Sequence, residues 1–235
     1  MPYLSCGHCV ACRAGKTNCC VRIRVLGVHA DGAFTEYLAV PHEFVFNADG
    51  VSLDQAAMIE FLAIGAHGVR RADVAAGQRV LVVGAGPIGM AAVIFAKLRG
   101  AQVTVLDGRS DRLAVCASAL GADHTVQLDT SGAEADAKRL AELTDGEFFD
   151  AVFDATGNVK AMERGLEFVA HGGKYVLISL VTSRISFFDP DFHKRETTLL
   201  ASRNATTQDF ETVLAAMRAG QIPTAALNTH SLTLA

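Results

Sequence analysis

The chain has 235 residues, half of them hydrophobic and 20% charged, which suffices for one large domain or two modest ones around a sizeable core. With 21 basic and 25 acidic residues the formal charge is −4, which argues against nucleic acid or an anionic membrane as a partner. The sequence predicts neither a transmembrane helix nor a signal peptide, since it holds no long apolar run and no basic segment leading into one.

Residues 1–45 are loop-rich and open with CGHCVACRAGKTNCC, in which Cys6, Cys9, Cys12 and Cys20 are separated by gaps of two, two and seven residues. Thiolates at that spacing can surround one ion tetrahedrally, and the ions that suit four sulfurs are zinc or iron in an iron–sulfur centre. A site closed by four thiolates leaves no position for water or substrate, so it is expected to be structural. Five of the six cysteines crowd into this run and only Cys116 lies elsewhere. That distribution predicts a metal site in a reducing, cytoplasmic setting over a disulfide scaffold.

Next comes a strand-like stretch, Gly32–Val40, and a turn from Asn47 to Gly50. Residues 54–71 predict one or two apolar helices. From Gln78 apolar strands alternate with helices. Strands are expected at 79–84, 102–107, 124–127, 148–155 and 174–180, and helices at 87–99, 111–120, 134–143, 159–170 and 207–219. Continuous apolar strands between helices predict an α/β fold with a doubly wound parallel sheet covered on both faces.

The stretch Gly84-Ala-Gly86-Pro87-Ile88-Gly89 leaves the first of these strands and opens a helix, the context a dinucleotide fingerprint requires. The first glycine makes the tight turn, the second admits a pyrophosphate, and the third lets helix and strand approach. The helix N-terminus offers free N–H groups to the phosphates, and Pro87 suits its first turn. Asp107 ends the next strand, where a carboxylate can accept from both ribose hydroxyls of NAD and repel the 2′-phosphate of NADP. Arg109 and Arg112 stand close enough to meet such a phosphate. Ligands sit outside the carboxyl ends of such a sheet, which nominates Thr156 and the backbone of Ile178 to Leu180.

The cysteine loop, GAGPIG and Asp107 together resemble the zinc-dependent medium-chain alcohol and polyol dehydrogenases. So do GVHADGAFTEYLAVP, IEFLAIGAH, FDATGN and SRNAT. The resemblance covers essentially the whole chain, and NCC at 18–20 with Glu60 resembles most the sorbitol, galactitol and sugar-acid branch. It implies that Cys6, Cys9, Cys12 and Cys20 hold a structural zinc. It also implies that Glu60 ligates a catalytic zinc or holds its water, although Phe61 stands where the family usually has proline, and that Arg203 lies near a cofactor phosphate. The implied activity is NAD-linked oxidation of a secondary alcohol on a polyol or sugar acid.

The implied organisation is a partial, β-rich GroES-like catalytic domain with its zinc lobe (1–67), an NAD-binding Rossmann domain (68–205), and a helix with the start of a return to the catalytic domain (206–235). Relatives pair across a two-fold axis through the segment matching SRISFF (183–188), so a homodimer or homotetramer is expected there. In full-length members a catalytic cysteine and a Gly-His-Glu motif precede the zinc loop, and the chain is therefore expected to be truncated at both ends. A non-catalytic zinc- and NAD-binding fragment is the alternative expectation. A third is a redox-responsive binding protein using Cys19 and Cys20. The eight histidines show no metal-ligand pairing and are expected at the surface or in packing roles.

Overall fold

The computed structural model describes residues 1–128 and 133–232. In chain order the elements are β1 (Tyr3–Leu4), α1 (Val10–Arg13), β2 (Arg24–Val25), α2 (Leu53–Arg71), β3 (Arg79–Val83), α3 (Pro87–Leu98), β4 (Gln102–Asp107), α4 (Ser110–Ser118), β5 (His124–Gln127), α5 (Ala133–Glu142), β6 (Phe149–Asp154), α6 (Val159–Gly165), β7 (Val169–Leu177), α7 (Asp189–Lys194), β8 (Thr198–Ala201), α8 (Thr207–Arg218) and α9 (Thr224–Leu227). Strands β3 to β8 form one parallel sheet in the order β5-β4-β3-β6-β7-β8. The order reverses at β3/β6, which places the loop after β3 at the switch point where such sheets bind ligands.

Period-two side-chain alternation builds a core on each face. Val80, Val82, Val103 and Val105 face α2, α3 and α8, while Leu81, Val83, Val152 and Tyr175 join Leu140 and Phe168 on the other face. Helix α2 is a single helix of 19 residues, started by a reciprocal cap between Ser52 and Gln55. It runs through the boundary expected at residues 67/68, and α8 packs on it through Phe210, Val213 and Leu214.

Two expected elements differ. Residues 32–40 form no strand: Phe34 and Tyr37 are 94% and 88% exposed, and with no strand paired to the segment its exposed backbone is left to water instead of a ladder. The helix expected over 159–170 stops at Gly165, and after a turn at Leu166–Phe168 the chain enters β7 at Val169. There Val169 pairs with Phe149, and Arg195 Nη1 takes the carbonyls of Glu167 and Val169, which a longer helix would have used itself. Residues 183–188, expected as a pairing edge, form no strand, and the edge strands of the sheet are β5 and β8.

Candidate zinc and dinucleotide sites

The four sulfurs of Cys6, Cys9, Cys12 and Cys20 lie within 4.8 Å of one another, and they are the only such group of three or more metal-ligating side chains among the described residues. A tetrahedron of zinc–thiolate bonds of about 2.3 Å has edges of about 3.8 Å, so the cluster needs little adjustment to close on an ion. One-turn α1 carries Cys12, and a tight turn at Thr17–Cys19 returns Cys20 to the group. Backbone N–H groups of Cys6 and Arg22 donate to Cys20 Sγ at 3.3 and 3.4 Å. The thiols differ in acidity. Backbone N–H groups of Cys12 and Val21 lower Cys9 to about 6, while burial and then the neighbouring thiols raise Cys12 to about 11. Four thiolates this close repel, and a cation at their centre is what lets all of them ionise. Cys19 is exposed and is not part of the four-sulfur group.

The loop after β3 has the shape a pyrophosphate requires. Gly84 adopts φ +97°, which side-chain-bearing residues rarely do, and a Cβ on Gly89 would stand 1.8 Å from the Gly84 carbonyl oxygen. Space at Gly86 is open, and no side chain caps the N-terminus of α3, so its N–H groups remain available with Pro87 and Ile88 in the first turn. Asp107 is half-buried at the end of β4 and accepts from the backbone N–H of Ala85 (2.6 Å) and of Arg109 (2.7 Å). Its carboxylate is thereby tied to the glycine loop itself. Arg109 is taken by Asp111 in a two-pronged pair at 3.0 and 2.6 Å. Arg112 lines a cleft of about 450 Å³ with Pro87, Met90, Val115 and Leu227.

The other nominated residues have mixed placements. Thr156 packs its methyl against Gly84 and gives its hydroxyl and N–H to Asp154. Ile178 is buried, donates its N–H to the Asp154 carbonyl, and would meet a Cβ on Gly68, so its side chain belongs to the core. Arg203 is exposed just beyond β8, its carbonyl held by the Asn18 side chain. Glu60 is half-buried on α2 and accepts from the Tyr3 hydroxyl; no group of three metal-ligating side chains among the described residues includes it.

The structure adds groups that the sequence did not single out. Asp154 is fully buried at the end of β6; burial pushes its carboxyl above the usual range, and hydrogen bonds from Ser179 and Thr156 pull it only part of the way back. His67 is buried and joined to Asp209 and Asn18. Their only sequence signal is a polar residue placed inside an apolar run (His67) or two residues before a candidate ligand cysteine (Asn18).

Comparison with known proteins agrees with this geometry. Residues 87–219, more than half of the chain, match the zinc-binding dehydrogenase family, and residues 1–50 match the alcohol dehydrogenase GroES-like domain. The chain is 46% identical over 230 residues to the L-galactonate-5-dehydrogenase of Escherichia coli K12, covering 98% of this chain and 66% of that protein. Among solved structures it is similar to an alcohol dehydrogenase of E. coli CFT073 complexed with NADH (TM-score 0.89, 28% identity, 96% of this chain and 66% of that one). It is also similar to a zinc-binding dehydrogenase of Sinorhizobium meliloti bound to NADP (TM-score 0.83, 27% identity, 94% and 65%). The chain thus spans about two thirds of the length of these relatives. It belongs to the zinc-binding alcohol and polyol dehydrogenase family, with a Rossmann-like sheet and the cysteine cluster as its two recognisable sites.

Proposed function

We propose that the protein is an NAD-linked dehydrogenase that oxidises a secondary alcohol carbon of a polyol or sugar acid and carries a structural zinc on Cys6, Cys9, Cys12 and Cys20. The observation that carries this reading is Asp107, held at the switch point with its carboxylate tied to the glycine loop. Bound NAD would take up hydride, and a catalytic zinc, to which Glu60 would be this chain's contribution, would polarise the alcohol oxygen. In this reading Gly84, Gly86 and Gly89 with the N-terminus of α3 receive the pyrophosphate. Asp107 accepts from the ribose hydroxyls and disfavours a 2′-phosphate. Thr156 shapes the wall behind Gly84, Arg203 reaches a cofactor phosphate, and Glu60, oriented by Tyr3, supports the metal side. The sugar-acid class follows the E. coli galactonate relative. Self-association is assigned to the β8 side, where Leu180, Phe187 and Phe188 are exposed beside an unpaired strand edge. Reduced thiols around a metal suit the cytoplasm, and no helix among the described residues is long and apolar enough to cross a membrane.

The test is a count of zinc per chain with calorimetric titrations of NADH and NADPH, followed by a screen of polyols and sugar acids. Tight NADH, weak NADPH, and loss of that preference in Asp107→Ser support the reading; equal affinities overturn the cofactor assignment. One observation favours a second reading: Glu60 belongs to no group of three or more metal-ligating side chains among the described residues. One zinc per chain without turnover would make the protein a zinc- and NAD-binding module, whereas two zincs with turnover would make it the enzyme.

A further inference from the structure

Asn18 sits in the cysteine loop, two residues before Cys20, and is 4% exposed. Its amide nitrogen lies 2.8 Å from the Arg203 carbonyl oxygen and 3.2 Å from His67 Nε2. The carbonyl can only accept, so the NH₂ group faces it and one amide hydrogen goes to each partner. His67 must then offer a lone pair at Nε2 and a proton at Nδ1, which lies 2.8 Å from Asp209 Oδ2. Asp209 is further fixed by Arg70 at 2.7 and 3.1 Å and by the N–H and hydroxyl of Thr206 at 2.8 Å each. A single buried amide therefore joins the cysteine loop to α2, to α8 and to the segment after β8.

That segment is Ser202–Ala205. It leaves the sheet on the side where the glycine loop opens. The Ser202 N–H is bonded to the Leu177 carbonyl, and Asn204 turns the chain at φ +51°. Between these fixed points the Arg203 carbonyl is held by Asn18, while the Arg203 residue is exposed. The backbone that carries Arg203 is therefore anchored from the cysteine loop.

We propose that Asn18 is a positioning residue that couples the metal cluster to the dinucleotide site, so that zinc binding and NADH binding favour each other. The inference rests on the function proposed above. An ion at the four sulfurs fixes Cys20 and the turn at Thr17–Cys19. The turn fixes Asn18, and Asn18 fixes Arg203. Coupling between sites is reciprocal by thermodynamic necessity.

The experiment measures the NADH Kd by calorimetry on zinc-loaded and chelator-stripped wild-type protein, and zinc affinity by chelator competition with and without NADH. The expected result is about tenfold weaker NADH binding after stripping, and a zinc affinity raised by the same factor when NADH is present. A merely structural loop would not respond to NADH. The variant Asn18→Asp keeps the side chain's size but replaces the amide donor with an oxygen set against the Arg203 carbonyl. It is expected to load zinc fully, to bind NADH about tenfold more weakly, and to lose nothing further on stripping. Equal NADH affinities in loaded and stripped wild type would overturn the coupling and leave the proposed function standing. No NADH binding by loaded protein would overturn both.

Discussion

The cysteine loop and the parallel sheet are held together by different physics. The sheet and its helices bury continuous apolar faces: Val80, Val82, Val93, Phe153 and Val176 have no exposed surface. Such burial at about 25 cal/mol per Å² needs no ligand to be stable. Residues 5–25 bury little beyond Cys9, Asn18 and Cys20, and the two-residue strands at their borders, β1 just before and β2 at the end, supply four paired residues. A segment this poor in apolar contacts would rely on the proposed zinc at its thiolates and on its seam with the sheet domain. That seam is partly apolar, through Tyr3 and Phe46 against Phe210 at 6.1 and 5.4 Å, and partly the Asn18–His67–Asp209 chain. The lesson is that one region is stabilised by area and the other by a few specific bonds, so they should fail under different insults.

The largest effect is expected from removing the metal or one ligand. Structural zinc contributes about 10–16 kcal/mol of apparent binding free energy in peptide models. Stripping zinc, or Cys9→Ser, should erase amide protection over residues 5–25 and leave β3, β4 and β6 protected. Unchanged exchange in the loop would abolish the distinction between the two regions.

The seam comes next. Asp209 has burial working to raise its carboxyl, but hydrogen bonds from His67, Arg70 and Thr206 more than reverse this and hold it far below the usual carboxylate range. Asp209→Ala leaves Arg70 and His67 without their shared acceptor and should cost about 3–5 kcal/mol in urea unfolding. Because the folded form binds its proton less readily than the unfolded chain, its stabilisation is complete above the ordinary carboxylate pKa. It is lost as the pH falls below about 4. A variant whose acid sensitivity matches wild type would show that this carboxylate does not hold the seam.

Inside the sheet domain, Gly89→Ala forces a methyl into the Gly84 carbonyl. A loss of about 3 kcal/mol with NADH binding abolished is expected, while zinc per chain stays at the wild-type value. Loss of zinc in this variant would mean the two regions fold as one unit. The smallest effect is at the surface. Asp111→Ala releases Arg109 from an exposed pair, and the urea midpoint should not move. The freed guanidinium should raise NADPH affinity relative to NADH; an unchanged ratio would show that Asp107 alone sets the preference.

Much of this protein is legible from neighbouring residues. The glycine loop, the aspartate closing β4 and the strand–helix alternation all lie within short windows, and the structure places them at the switch point as their spacing demands. The cysteine spacing likewise brings four sulfurs to one place. These features are local because turns, strand periodicity and ligand loops are fixed by residues a few positions apart. Other features depend on partners far away in the chain. The stretch 32–40 is rich in strand-forming residues, yet it is no strand in this structure, since a strand exists only where another supplies hydrogen bonds. Glu60 meets Tyr3 across 57 residues, and His67 meets Asn18 across 49 and Asp209 across 142. No spacing rule announces such pairs. They form because packing α8 on α2 and the cysteine loop against both removes these polar groups from water together, and each must then find its hydrogen bond in another.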